Sequence, residues 1–169
     1  MFDLEKQDLK NKKVIVRVDL NVPLDDNDNV TDTTRIVACK ETVDLILEKG
    51  GTCILISHLG RPKGKENKFS LKKIVDTVSS VLNHPVFFYE DCVGQGAQEA
   101  ISKLDQGSII LMENLRFYEE ETLGDRVFAK NLSELGDIYV NDAFGTCHRE
   151  HASTAVIAQY FENKKFAGK

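Results

Sequence analysis

The sequence predicts an α/β domain: a parallel central sheet with helices on both faces, in a Rossmann-like arrangement. The first observation is a series of five short apolar runs rich in β-branched residues. Near-continuous apolar runs of this length are typical of strands buried on both faces of a parallel sheet. The second observation is a helical pattern between successive runs, which places the helices as crossovers between parallel strands. The predicted strands are residues 14–18, 54–56, 86–89, 109–112 and 138–140.

Two of the predicted helices have clear periodicity. In residues 71–82 the apolar side chains recur at i, i+3, i+4 and i+7, and Ser70 is a plausible N-cap. Residues 36–47 repeat that spacing, and Gly50 and Gly51 end the helix. Residues 95–104 and 124–135 have weaker patterns of the same kind.

Composition limits the classes of partner. The chain has 169 residues, which suits one domain, and a net charge of −5, which argues against a nucleic-acid binder. No apolar stretch approaches the roughly 20 residues of a membrane-spanning helix, and no signal peptide is evident. The four cysteines lack a CxxC spacing. They are therefore expected to be reduced thiols in a cytoplasmic protein that contacts no membrane.

Polar clusters follow four of the five predicted strands. The chain has six arginines. Arg61, Arg116 and Arg149 lie in the segments that follow strand ends, and Arg35 lies in the first turns of the helix after the first strand. His58 shares one of these segments. Because carboxyl ends of parallel strands meet at one edge, these side chains should converge there. Arginines gathered on an acidic protein predict a local site for a small anion such as a phosphate or carboxylate.

Asp19 and Asn21 refine the expected ligand. A carboxylate beside an anion site repels the anion, so Asp19 needs a different purpose, such as accepting hydrogen bonds from hydroxyl groups. The sequence therefore favours a small phosphorylated hydroxy compound. Taken one at a time, Asp19 could be a turn acceptor, His58 a packed loop residue and Arg35 a solvated helix residue. Arg17, inside a strand, is interpreted as structural.

Other chemistries fit less well. Residues 60–65 resemble a P-loop but are one residue short, and Glu66 stands where Ser or Thr is required. Residues 94–99 lack the last glycine of a dinucleotide fingerprint. A zinc site at Cys147, His148 and His151, completed by His58, is a rival hypothesis, although Arg61 and Arg149 would oppose a dication. A Cys147 nucleophile is a further, weaker alternative.

Four motifs together resemble those of the phosphoglycerate kinase family, specifically its amino-terminal domain. They occur in the family's order and spacing from about Val14 to the last residue. They are RVDLNVP (17–23), SHLGRP (57–62), ENLRF (113–117) and NDAFGTCHREHAS (141–153). Cys147 and Glu150 occupy variable positions of the last motif.

The resemblance implies a role for each site residue. Asp19, Leu20 and Asn21 would meet the glycerate hydroxyl and carboxylate region of 3-phosphoglycerate or 1,3-bisphosphoglycerate. The distal phosphate would be bound by a basic patch drawn from two strand-end loops and the last motif. Its members are His58, Arg61, Arg116 and Arg149, and Leu59 and Gly60 of the same loop would also contact the substrate. Arg35 would be catalytic, offsetting charge on the transferring phosphoryl group, because phosphoryl transfer depends mainly on positioning and electrostatic stabilisation.

The resemblance also implies what the chain lacks. Residues 1–169 would be the phosphoglycerate-binding domain, with phosphotransferase activity in glycolysis requiring a second, carboxyl-terminal domain for Mg-ATP or Mg-ADP. Phe166 to Gly168 would lead into the helix that joins the domains. The chain alone is expected to be a monomer, to bind no cofactor or metal and to be inactive. The alternative is a stand-alone small-anion-binding regulatory module.

Overall fold

The fold is a six-stranded, all-parallel sheet in the strand order β3-β4-β2-β1-β5-β6. It is seen in a computed structural model that describes residues 3–143 and 150–169. The α/β prediction is confirmed. The strands are β1 Lys13–Arg17, β2 Thr52–Ile56, β3 Val86–Tyr89, β4 Ile109–Met112, β5 Ile138–Asn141 and β6 Lys165–Ala167.

Five α-helices lie within the described residues. They are α1 Thr34–Glu48, α2 Val75–Leu82, α3 Gln95–Ser102, α4 Glu119–Leu123 and α5 Arg126–Ser133. Shorter turns of 3-10 helix are Leu4–Lys6, Asn67–Phe69, Leu71–Ile74, Leu115–Phe117 and Ile157–Tyr160, and Ala152–Val156 is π-helical.

The helices cover both faces of the sheet, as predicted. Side chains alternate along a strand, so Val14 and Val16 of β1 join the core beneath α1 and α2. Ile15, between them, joins a second core formed with α3 and α5. Both layers are apolar and buried, which explains why the central strands read as continuous hydrophobic runs.

Element boundaries differ most from the sequence prediction at two helices. The predicted helix 71–82 opens with a 3-10 turn, and Ser70 caps that turn by accepting from the Lys72 amide. The predicted helix 124–135 begins later, because Gly124 adopts φ 66° and ends α4. Asp125 then caps α5 by accepting from the Phe128 amide.

The segment expected to lead into an interdomain helix, Phe166 to Gly168, is not itself helical. Lys165–Ala167 instead forms the edge strand β6, and Val140 of β5 pairs with Phe166 in parallel register. The Gly168 amide continues the ladder by donating to the Asn141 carbonyl. A three-residue strand with one buried side chain leaves no hydrophobic period to detect.

The topology fixes where a ligand should bind. β1 lies between β2 and β5, so the chain moves outward from β1 on one side and later returns to its other side. Ligands of open α/β sheets bind outside the carboxyl ends of the strands at such a switch point. The loops after β1, β2, β4 and β5 all emerge at this edge, the carboxyl edge of the sheet.

Candidate functional site

The loops after β1 and β2 are joined by three hydrogen bonds at the carboxyl edge. The Val18 amide donates to the Ile56 carbonyl, and the Leu20 amide donates to Ser57 Oγ at 2.9 Å. Asn21 Oδ1 accepts from the Gly60 amide at 2.8 Å. The two motifs therefore form one unit, and the Asn21 side chain sets the distance between them.

Arg35 is positioned by the loop after β1. Its Nη1 donates to Asp19 Oδ1 at 3.2 Å and to the Asn21 carbonyl at 2.5 Å. About half of the Arg35 side chain, 48%, remains exposed. Asp19 also accepts from the Asn21 amide at 3.0 Å, so this carboxylate orders the loop and orients the guanidinium. Arg35 thus presents a fixed but accessible positive charge.

The Asn114 side chain fixes the SHLGRP segment through hydrogen bonds. Asn114 Nδ2 donates to the Leu59 carbonyl at 2.8 Å and to the Phe69 carbonyl at 2.9 Å. Gly60 adopts φ 64°, and a Cβ there would lie 2.4 Å from the Phe69 ring. Only glycine suits both the backbone angle and the contact.

Arg61 and Arg116 line one cavity of about 550 Å³. Exposed Arg61 and residues 62–64 line this cavity together with half-buried Arg116 and residues 117–119 and 122. Arg116 Nη1 also reaches the Gly60 carbonyl at 3.5 Å. The predicted convergence of these two arginines is therefore observed.

His58 is buried against Arg17. Arg17 is fully buried in β1, and its Nη2 donates to His58 Nδ1 at 2.9 Å. Burial, followed by the positive charges of Arg17 and Arg116, lowers the pKa of His58 to about 2. His58 is therefore a neutral imidazole, and the positive charge of the site comes from arginines. Arg17 is structural, as interpreted from the sequence.

The remaining predicted site residues divide into two groups. The Leu20 and Leu59 side chains are buried in the core, so only their backbone groups face the loops. Arg149 lies outside the described residues, as do Cys147 and His148 of the rival zinc site. His151 is buried, and its carbonyl accepts from the first amides of the segment that follows it.

The described residues do not fit a nucleotide-phosphate cradle. The segment after Gly60 leads into 3-10 turns, whereas a P-loop ends at the N-terminus of a helix. Glu66, at the position where a P-loop needs a hydroxyl, accepts instead from the Lys63 amide at 2.8 Å. Within the described ranges, no group of three or more His, Cys, Asp or Glu side chains could hold a metal ion.

Other features of the chain agree with its composition. Cys39, Cys53 and Cys92 are buried free thiols, and burial raises the pKa of Cys39 to about 12. In residues 3–143 and 150–169, none of the helices is long and apolar enough to cross a membrane.

Several residues that shape the site were missed by sequence reasoning. Glu113 accepts from Ser70 Oγ at 2.6 Å and from the Leu71 amide at 2.9 Å. Ser57, Glu121 and Ser153 are likewise buried and hydrogen-bonded near the site. Ser57, Glu113 and Ser153 belong to three of the four motifs already noted, so polar residues inside those motifs were the available signal. Glu121 lies in an acidic run and carried no signal.

Comparison with known proteins identifies related chains. A sequence model of the phosphoglycerate kinase family matches residues 4–169. Phosphoglycerate kinase 3, cytosolic, of Arabidopsis thaliana is 50% identical over 159 residues, which is 94% of this chain and 40% of the relative. A phosphoglycerate kinase of Dictyoglomus turgidum is 49% identical over 160 residues, or 95% of this chain and 40% of the relative.

Solved structures give the same result. Phosphoglycerate kinase from Pyrococcus horikoshii superposes with a TM-score of 0.88 at 31% identity over 99% of this chain and 42% of that protein. The enzyme from Coxiella burnetii gives a TM-score of 0.83 at 36% identity, over 97% and 40% of the two chains. The chain thus spans about 40% of the length of the relatives it matches.

Proposed function

Because the chain belongs to the phosphoglycerate kinase family, we propose that it is the phosphoglycerate-binding, amino-terminal half of such a kinase. Its ligand would be 3-phosphoglycerate or 1,3-bisphosphoglycerate. The whole enzyme would transfer a phosphoryl group between the acyl phosphate and ADP in glycolysis.

The observation that carries this proposal is the pairing of Arg61 and Arg116 across one cavity at the carboxyl edge of the sheet. Two arginines that line one cavity suit the distal phosphate, because a guanidinium can donate two parallel hydrogen bonds to its oxygens. His58 would add a neutral donor, and Arg149 would complete the patch.

The other end of the ligand would meet the loop after β1. Asp19 is partly exposed, with 28% of its side chain accessible, and can accept from the glycerate hydroxyl. Asn21 Oδ1 is engaged by the Gly60 amide, so its Nδ2 is the group left to donate to the carboxylate. The arrangement would distinguish phosphorylated hydroxy acids from simple phosphates.

Nucleotide and magnesium would be bound outside this chain. The described residues offer no cradle for them, and the relatives extend well beyond the matched length. The present chain would consequently bind phosphoglycerate without catalysing transfer. Relatives include cytosolic and chloroplastic enzymes, so the cytoplasmic location stays a prediction. The monomeric state is likewise a prediction.

The proposal is tested by titrating the chain separately with 3-phosphoglycerate, MgATP, inorganic phosphate and zinc while recording backbone amide shifts. Saturable shifts at Asp19, Arg61 and Arg116 with phosphoglycerate alone would support it. Shifts with inorganic phosphate of equal affinity would favour a general anion-binding module. Shifts with MgATP only, or with zinc only, would contradict it.

Arg149→Ala should weaken phosphoglycerate binding by about 1.5–3 kcal/mol, the usual contribution of a hydrogen bond to a charged group. Isothermal titration of the variant and of Arg126→Ala, an arginine at the start of α5 that does not line the Arg61 and Arg116 cavity, measures this difference. An unchanged affinity would remove Arg149 from the site.

Arg35→Ala should barely alter phosphoglycerate binding but slow the full-length enzyme by orders of magnitude. Its half-exposed guanidinium is proposed to face the transferred group, and a contact that strengthens in the transition state affects turnover rather than ground-state affinity. Steady-state kinetics beside direct binding separates the two effects. A large loss of binding with unaltered turnover would contradict the role.

A further inference from the structure

The central strand β1 contains a fully buried guanidinium. Arg17 is 0% exposed in the middle of the sheet. A buried charge is tolerated only when it is paired and hydrogen-bonded. The partners of Arg17 therefore explain why an arginine stands in an otherwise apolar strand.

On one side the positive charge of Arg17 is compensated by the Glu121 carboxylate, to which it is linked through the Ser153 hydroxyl. Arg17 Nε donates to Ser153 Oγ at 2.9 Å, and Ser153 Oγ donates to Glu121 Oε2 at 2.5 Å. The Ser153 amide donates to the other carboxylate oxygen at 2.8 Å. Glu121 is also 0% exposed. The Ser153 hydroxyl donates its single hydrogen to the Glu121 carboxylate. Its lone pairs are therefore left to accept from Arg17.

On the other side Arg17 contacts His58. Its Nη1 donates to the Val18 carbonyl, and its Nη2 donates to His58 Nδ1 at 2.9 Å. A guanidinium can only donate, so Nδ1 must carry a lone pair. The single proton of the imidazole is then on Nε2.

We propose that Glu121 and Ser153 are positioning residues that act through Arg17 to keep His58 neutral, with its proton on Nε2 as a donor to a ligand oxygen. The inference rests on the proposed function for the identity of that ligand, a phosphoglycerate. Glu121 and Ser153 themselves touch no ligand in this scheme. They fix which nitrogen of His58 carries the proton.

The surroundings of His58 favour the same state from several elements. The positive charges that act on it belong to Arg17 of β1, Arg35 of α1 and Arg116 after β4, and His151 adds to them. A second proton on His58 is opposed from each of these directions. The positive charge for anion binding comes from the arginines, while His58 contributes a neutral hydrogen-bond donor of fixed orientation.

The first test needs no ligand. Nitrogen-15 spectra of the imidazoles in this chain should show His58 Nδ1 as an unprotonated nitrogen and Nε2 as a protonated one. That state should persist from about pH 5 to 8, where an ordinary histidine titrates. A His58 that protonates within this interval, or one with its proton on Nδ1, would overturn the inference.

The second test breaks the relay at Ser153. In Ser153→Ala the guanidinium loses the bridging hydroxyl and shifts toward Glu121, so His58 should populate both tautomers. Glu121→Gln should act in the same direction, because the hydroxyl loses its charged anchor. Ser102→Ala, an exposed serine on α3, is the matched control. Unchanged His58 nitrogens in a folded Ser153→Ala chain would refute the relay.

Affinity for 3-phosphoglycerate completes the test. Ser153→Ala should weaken it roughly fivefold to tenfold, because a misdirected donor loses part of one charge-assisted hydrogen bond. If the wild-type chain binds no phosphoglycerate but has the expected His58 spectrum, the proposed function fails and the positioning of His58 stands. If it binds phosphoglycerate through a protonated His58, the positioning fails and the proposed function stands. The wild-type spectrum remains decisive if the variants do not fold.

Discussion

At the scale of single residues, arginines supply the positive charge of the candidate site, and His58 beside them is neutral. Arg61 and Arg116 were predicted to converge because parallel strands end at one edge, and they do so. His58 was expected to join a basic patch, yet it is neutral because it is buried against Arg17. Burial and the partner of a ring nitrogen are tertiary properties, and a local motif does not contain them.

Gly60 shows a residue-scale requirement that can be tested. Gly60→Ala should lower the free energy of unfolding by about 2–4 kcal/mol, since it adds a left-handed backbone penalty to a clash with the Phe69 ring. Gly107→Ala is the control, because Gly107 has φ 82° but open space around it, and should cost about 1–2 kcal/mol. Urea unfolding of both variants measures the difference. Equal losses would show that the Phe69 contact contributes nothing.

At the scale of elements, long and central segments were the most predictable. Helix α1 and the central strands follow clear hydrophobic periods, whereas β6 has three residues and one buried side chain. The α4–α5 boundary depends on Gly124 in a left-handed conformation and on the Asp125 cap. Hydrophobic periodicity alone predicts a single continuous helix across it. Short edge elements are determined by their neighbours, which a linear pattern does not reveal.

The junction of α1, β5 and β6 contains a buried carboxyl. Asp142 follows β5, is 9% exposed, and its Oδ1 accepts from Thr42 Oγ1 at 3.2 Å. Gly168, after β6, packs against this carboxylate. Burial raises the pKa of Asp142 to about 7. The folded chain therefore favours the protonated acid, and ionisation of Asp142 destabilises the fold.

This junction should make stability depend on pH. The pKa of Asp142 in the unfolded chain is about 3.9, so its contribution to stability should fall as the pH rises from about 4 through 7. Asp142→Asn should therefore stabilise the chain by about 1–3 kcal/mol at pH 8, and the gain should vanish near pH 4. Thermal unfolding across this range measures it. Asp26→Asn, in an exposed turn, controls for the loss of one charge, and a gain that is independent of pH would contradict the interpretation.

At the scale of the whole molecule, bulk charge and site charge have opposite signs. The chain carries a net charge of −5, while the cavity at the carboxyl edge is lined by Arg61, Lys63 and Arg116. A sequence total therefore excludes general polyanion binders without excluding a small anion. Local concentration of one residue type at strand ends was the informative signal.

The salt dependence of ligand affinity should show whether the local positive charge of the cavity or the net negative charge of the chain dominates binding. Affinity for 3-phosphoglycerate should fall as sodium chloride is raised, because screening weakens attraction by nearby arginines within about one Debye length. Calorimetric titrations at several salt concentrations, with a nonionic osmolyte as control, measure this. An affinity that rises with salt would mean that repulsion by the net charge dominates and that the cavity is not the binding site.

The Arg17 relay also bears on the order of events during synthesis. It joins residues separated by 136 positions along the chain, since Arg17 lies in β1 and Ser153 follows β5. A nascent chain folds from its amino terminus, and contacts of such sequence separation close late. Until Ser153 has left the ribosome, Arg17 lacks its route to Glu121, and the centre of the sheet cannot enclose the guanidinium favourably. The enclosure of Arg17, and with it the orientation of His58, is thus a late event of folding that waits for Ser153.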